Sequence, residues 1–165
     1  EVGVATGFPH TPEGALAQLA AIDTTALTSA SVRVAQEVIT AWAAPGGPTA
    51  ESWSGVRGLA ALLESAGMPS EAQNTITIGA EPKMGFIKGT VGDDFVIPCI
   101  DFIITATTAS GQPQQVAAGD CQRMVWQDGR WVIGEGEEPA PAPSLWPGSQ
   151  ASFDAGYQWL EVPQS

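Results

Sequence analysis

The sequence predicts an α+β fold, with N-terminal helices packed on an antiparallel β-meander and a short C-terminal extension. Three observations carry this. Apolar residues recur at helical spacing from Ala15 to Leu63, interrupted by proline and glycine. From Asn74 the spacing changes to strand-like alternation, and Asp128-Gly129 sits between apolar runs as a hairpin turn. Helices and strands are therefore segregated along the chain, which favours α+β over alternating β-α-β units. A chain of 165 residues is expected to form one domain. It divides into a helical part (11–67), an antiparallel sheet (74–136) and a proline-rich segment with a tail (137–165).

Taken in order, residues 1–10 read as an arm broken by Gly3, Gly7 and Pro9. Thr11-Pro12-Glu13 combines a capping hydroxyl, proline at the first helical position and an acid at the positive end of the helix dipole. The first helix carries Leu16, Leu19 and Ile22, and Asp23-Thr24-Thr25 is expected to interrupt it. A second helix starts near Ser29 or Ser31 and runs through Trp42 to a stop at Pro45-Gly46-Gly47-Pro48. Thr49 reads as the cap of a third, which carries Trp53, Val56, Leu59 and Leu63 and closes at Gly67-Met68-Pro69. Thr75–Gly79 alternates, Glu81-Pro82 interrupts, and Met84–Thr90 resumes in extended form. Gly92-Asp93-Asp94 then turns the chain into a long strand from Phe95 to Thr108. After Gly134 the acidic run Glu135, Glu137 and Glu138 and the Pro139-Ala-Pro-Ala-Pro143 stretch read as solvated polyproline II. Ser149 is positioned to cap a short helix across Gln150–Tyr157, and Trp159, Leu160 and Val162 could pin the tail.

Register can be argued for the central strands. A reversal centred on Ser110 sets Cys99 opposite Cys121, Phe102 opposite Ala118 and Ile104 opposite Val116. The Asp-Gly turn sets Trp126 opposite Trp131 and Met124 opposite Ile133. Alternation then assigns Ile100, Phe102, Ile104, Val116, Met124, Trp126, Trp131 and Ile133 to the core face. Both cysteines, Asp101, Thr105, Gln115 and Arg123 fall on the other, more polar face, so a bridge would lie on the less buried side of the sheet. Pro98 warns of an edge or a bulge. Opposed residues of antiparallel strands have Cα atoms roughly 4.5–5.5 Å apart, within disulfide range. Two buried thiols are the alternative. The register and the absence of metal-ligand spacing favour a Cys99–Cys121 disulfide, and with it an oxidising compartment.

Composition narrows function more than any motif does. Eighteen acids against six bases give a formal charge of −12, which disfavours direct nucleic-acid binding and docking on anionic lipid. No apolar run approaches the ~20 residues of a membrane span. The first residue is Glu1 rather than methionine, which reads as a processed or a trimmed chain, and a signal peptide or anchor helix could have been removed ahead of it. The single histidine, His10, lies at a helix entrance without further ligands at metal spacing, so a structural role is the plainer reading. No nucleophile elbow, phosphate loop or Cys-x-x-Cys is present, and neither catalytic residues, cofactors nor metal ligands are assigned. Among carboxylates, Asp101 is a mid-strand acid that could serve as a base but reads as solvated surface. Asp120 lies at the rim of the core face, where it could look into a pocket.

Helices followed by a long curved meander resemble the nuclear transport factor 2-like (cystatin-like) fold over roughly residues 11–136. Several runs resemble more closely an uncharacterised family of actinobacterial proteins encoded on integrated conjugative elements. These are Gly7-Phe-Pro-His-Thr-Pro-Glu-Gly14, Ala41-Trp-Ala-Ala-Pro-Gly-Gly-Pro48, Cys121-Gln-Arg-Met-Val-Trp126 with Asp128-Gly-Arg-Trp131, and Pro139–Pro143 with Trp146-Pro-Gly148. The resemblance implies an extracytoplasmic domain tethered to the cell membrane through a segment before Glu1, and it supplies no active-site residues. The first functional expectation is a non-enzymatic domain making protein–protein contacts, or self-associating, in a cell-envelope assembly such as conjugative DNA-transfer machinery. The alternative is a small apolar-ligand binder, or an isomerase-like enzyme, using the concave face of the sheet.

Overall fold

The computed structural model describes residues 3–160. Three helices, α1 (Pro12–Thr28), α2 (Val32–Trp42) and α3 (Ser54–Ser65), precede an antiparallel sheet. Thr11 caps α1 by accepting from the Gly14 N–H at 3.0 Å. The interruption expected at Asp23-Thr24-Thr25 does not occur. The hydroxyls of Thr25 and Thr28 fold back onto the carbonyls of Ala21 and Thr24 (2.8 and 2.7 Å), so they do not compete for free backbone groups. Ser31 caps α2 through the Val34 N–H. α3 begins later than Thr49, whose hydroxyl instead accepts from the N–H of Ser52 in a preceding turn. Its first turn receives its cap from far along the chain. Glu138 accepts from the Ser54 N–H at 3.0 Å and from the Ser54 hydroxyl at 2.5 Å, so Glu138 is not part of a free solvated run.

β1 (Ile76–Val91) is continuous, because Glu81 and Pro82 stay paired with the next strand and the irregularity after them, at Lys83, is a bulge in the ladder rather than a break. β2 (Phe95–Thr108) runs beside it. On the other side of β2, Phe95 and Val96 pair with β4 (Met124–Gln127), and Cys99 to Ala106 pair with β3 (Gln114–Cys121). Pro98 lies at the changeover between these two partners, where its missing N–H costs no ladder bond. β4 thus returns to β2 instead of extending a simple meander, and β5 (Arg130–Ile133) forms the edge beyond it. The expected pairs Phe102–Ala118, Ile104–Val116, Met124–Ile133 and Trp126–Trp131 are all present.

The front face packs Ile100, Phe102, Ile104, Met124, Trp131 and Ile133 under the helices, against Leu19, Ile22 and Leu59 among others. Val116 departs from the expected pattern. It is 45% exposed because it stands at the rim of the cavity described below.

On the back face, Cys99 and Cys121 are bonded, with Cα atoms 4.1 Å apart. The expectation of a less buried, polar surface here is overturned: Cys99 and Asp101 are fully buried and Cys121 nearly so. Residues 137–160 form a strap across this face. Ala142 and Tyr157 complete a second small core with Met84 and the disulfide. The proline-rich stretch is therefore not free polyproline II, since the Tyr157 hydroxyl donates to the Pro143 carbonyl and the Gly119 N–H donates to the Ser144 hydroxyl, both at 3.0 Å. Gly119 permits the approach; a Cβ there would meet the Pro143 oxygen at 2.6 Å and the Tyr157 hydroxyl at 2.8 Å. The strap ends in α4 (Gln150–Asp154), capped by Ser149 and shorter than the expected span to Tyr157, and in β6 (Gln158–Trp159), which pairs with Met84 and Gly85 of β1. The Leu160 N–H adds a bond to the Lys83 carbonyl. Val162 lies outside the described residues.

Candidate ligand pocket

A cavity of about 400 Å³ opens between the end of α1, the length of α3 and the front face of β2 and β3. Its walls are mostly apolar: Ala26 and Leu27 from α1, Leu62 from α3, and Phe102, Ile104 and Val116 from the sheet. Trp53 lines one end, with its indole tucked beneath the start of α3. Only glycine at position 55 allows this, because a Cβ would fall 2.6 Å from the ring. Apolar walls with a few convergent polar groups are the usual composition of a small-molecule site.

The polar groups are concentrated at one place. Asp23, buried on α1, and Asp120, half-buried on β3, lie within hydrogen-bonding reach of each other. Two carboxylates can use that contact only with a proton between them. Burial pushes the Asp23 carboxyl well above its ordinary value, and the Asp120 charge, the shared hydrogen bond and the Glu138 charge push it further. Asp120 is also raised, first by burial, but hydrogen bonds from Asp23, Gln122 and the Cys121 N–H hold it back. Asp23 therefore keeps the proton while Asp120 carries the charge. The Gln122 side-chain amide, fully buried, donates to Asp120 Oδ1 at 3.0 Å and to Glu138 Oε1 at 2.6 Å. Of the buried side-chain atoms without a hydrogen-bond partner among the described residues, Asp23 Oδ2, Gln122 Oε1 and Trp53 Nε1 lie at this site.

This arrangement offers an acid and a base side by side at the end of an apolar slot. It can bind a hydrogen-bonding group, neutralise a cation, or take and return a proton. No group of three histidine, cysteine or acidic side chains has the geometry to hold a metal among the described residues.

The two acids singled out by sequence part company. Asp120 faces the cavity. Asp101 faces the opposite side of the sheet and is sealed under the strap, so it cannot act in the pocket. Burial pushes its carboxyl up to about 6, with a smaller opposing pull from the Leu145 N–H. Nor is it solvated surface, as its mid-strand position first suggests. Tyr157 beside it is raised by burial and by the Asp101 and Asp120 charges. Cys99 and Cys121 lie on the back face, away from the pocket. His10 is structural. It stacks flat on Trp126 with centroids 4.1 Å apart and bonds Asp94 at 2.6 Å.

Asp23, Gln122, Glu138 and Trp53 were not legible as site residues. Asp23 had a signal. It continues the buried stripe of Leu19, Ile22 and Ala26, where an acid has no structural reason to be, yet beside two threonines it reads as a helix break. Glu138 had none, since only the folded strap brings it to α3.

No family model matches this chain, and no curated protein matches it. Among solved structures it is similar to a Xanthomonas campestris protein described as a candidate calcium/calmodulin dependent protein kinase II association domain. The identity is 15%, over 84% of this chain and 96% of that one, with a TM-score of 0.42. At that score the likeness adds nothing to what the topology already says.

Proposed function

We propose that this chain is a binding domain and that its site is the apolar pocket ending in Asp23 and Asp120. One observation carries the reading: a nearly buried carboxyl with an unpartnered oxygen faces a second carboxyl at the end of a cavity large enough for a small molecule. Burying such a pair costs stability, and neither member touches a basic group that would account for it structurally. The helices-then-sheet order fits a nuclear transport factor 2-like architecture with the pocket on its concave side. The buried disulfide fits an oxidising compartment outside the cytoplasm. Titration with a neutral apolar probe such as toluene, followed by NMR, should shift resonances of Trp53, Leu62 and Phe102 together. Leu62→Trp, which fills the cavity, should remove those shifts. Shifts scattered elsewhere, or none, would sink the reading.

A second reading has its own observation. Trp146, Phe153 and Trp159 on the strap are 48%, 42% and 56% exposed, and Phe153 and Trp159 pack edge to face. Exposed aromatics of this kind are enriched where proteins meet. They support a role in protein–protein contact or self-association; the cell-envelope assembly, the conjugative machinery and the membrane tether rest on the sequence resemblance alone. Sedimentation of the protein and of a Phe153→Ser/Trp159→Ser variant checks this; a concentration-independent monomer in both would remove it.

A further inference from the structure

We propose that the pocket's occupant is a small organic cation: a protonated amine carried on an apolar stem. This rests on the pocket being a binding site and names the chemistry of what it takes. The argument is one of unbalanced charge. Two acids line one end of the cavity, Asp23 from α1 and Asp120 from β3, and a third, Glu138 from the strap, lies close enough for its charge to act on both. Their remaining polar neighbours are neutral. Gln122 donates to Asp120 and Glu138, and Ser54 donates to Glu138. No lysine, arginine or histidine contributes to the environment of either aspartate, nor does any line the cavity.

The donors supplied are too few for the acceptors. Gln122 spends its amide on two carboxylates, and Asp23 Oδ2 is left without a partner although Asp23 is only 5% exposed. An ammonium group brings three donors and a positive charge, which fits this deficit. An anion would face uncompensated repulsion. A neutral alcohol would satisfy one acceptor and leave the charge as it was. The walls set the rest of the ligand, since Leu27, Leu62, Phe102 and Ile104 accept an aliphatic or aromatic stem and little else.

A bound cation removes the reason for Asp23 to hold a proton. Binding at neutral pH is therefore coupled to release of up to one proton from the carboxyl pair, with Asp23 the source. Conversely, acid weakens binding by protonating Asp120 as well, after which the aspartate pair presents no negative charge.

The test compares three ligands of equal stem, n-hexylamine, n-hexanol and hexanoate, by isothermal titration calorimetry at pH 7. The amine is expected to bind roughly tenfold or more tighter than the alcohol, because a buried charge pairing is at stake, and hexanoate is expected not to bind. The heat for the amine should depend on the ionisation enthalpy of the buffer, reporting the released proton. Asp120→Asn and Asp23→Asn, tested separately, should each lose the preference for the amine. Continued hexanol binding by these variants shows that the pocket still folds. Hexanol binding as well as hexylamine overturns the cation inference and leaves the pocket reading standing. An amine preference that survives in both variants also overturns it, as the effect of net charge alone. If none of the three binds, both readings fail.

Discussion

The front and back faces of the sheet each carry an aspartate, half-buried on the front and fully buried on the back, one residue out of register on neighbouring strands. Asp101 of β2 sits opposite Gly119, and Asp120 of β3 sits opposite Ile100. Strand alternation sends the two carboxyls to opposite sides, and there the environments diverge. Asp101 is shut beneath the strap with Tyr157 and the disulfide. Asp120 meets a second carboxyl at the end of a cavity that opens outward. Burial raises both. A raised carboxyl is thus no sufficient mark of a site; access and a partner of like charge distinguish the two.

Breaking the back face is expected to have the largest effect on stability. Replacing Cys99 and Cys121 together by alanine removes a bridge spanning 22 residues and should lower stability by about 3 kcal/mol, measured by urea unfolding. If the faces are independent, pocket affinity in the folded double variant stays unchanged; a parallel loss of affinity would show that the strap holds the pocket through Glu138.

Next in size is Asp101→Asn. The folded carboxyl, at about 6, lies above the ordinary 3.8. The folded protein therefore keeps a proton that the unfolded chain gives up. The contribution of this group to stability is greatest below the unfolded value and declines as pH rises through about 6. Asparagine abolishes that decline, and stability at pH 7.5 should rise by about 1–2 kcal/mol. Thermal melts from pH 4 to 8 check it, the variant having the flatter profile. Asp23 declines with the same sign, so some slope remains. A steeper profile in the variant would mean that the back-face carboxyl is ionised in the fold and held by a partner.

The smallest effect belongs to the front. Gly58 is exposed on α3 and its missing Cβ would meet nothing within 4 Å. Gly58→Ala should raise stability by about 0.5–1 kcal/mol through helix propensity, seen as a higher melting temperature. A gain without change in ligand affinity would separate helix stability from pocket shape.

Sequence exposed the parts that depend on local pattern. Capping at Thr11, Ser31 and Ser149, the Asp-Gly turn and the cross-strand register could be read because each is decided within a few residues. Asp120 could be assigned to the cavity side because strand alternation carries that information. What lay hidden depends on which segment covers which face. Asp101 and the cysteines alternate correctly onto the second face, but nothing in their spacing tells that residues 137–160 fold over it. Glu138 reads as solvent-facing next to Glu137, yet its carboxylate caps a helix distant in the chain. Asp23 is hidden for a different reason, since beside Thr24 and Thr25 a buried acid looks like a broken helix.

The strap also sets an order of events. Its residues follow both cysteines in the sequence, and until they dock the back of the sheet stands open while Cys99 and Cys121 are already available to each other. Oxidation before residues 137–160 dock meets no obstruction. Once Tyr157 has settled against the sheet, the same bond is screened from any thiolate that would have to reach its sulfurs. The strap thus acts as a ratchet, admitting oxidation before it docks and shielding the product afterwards.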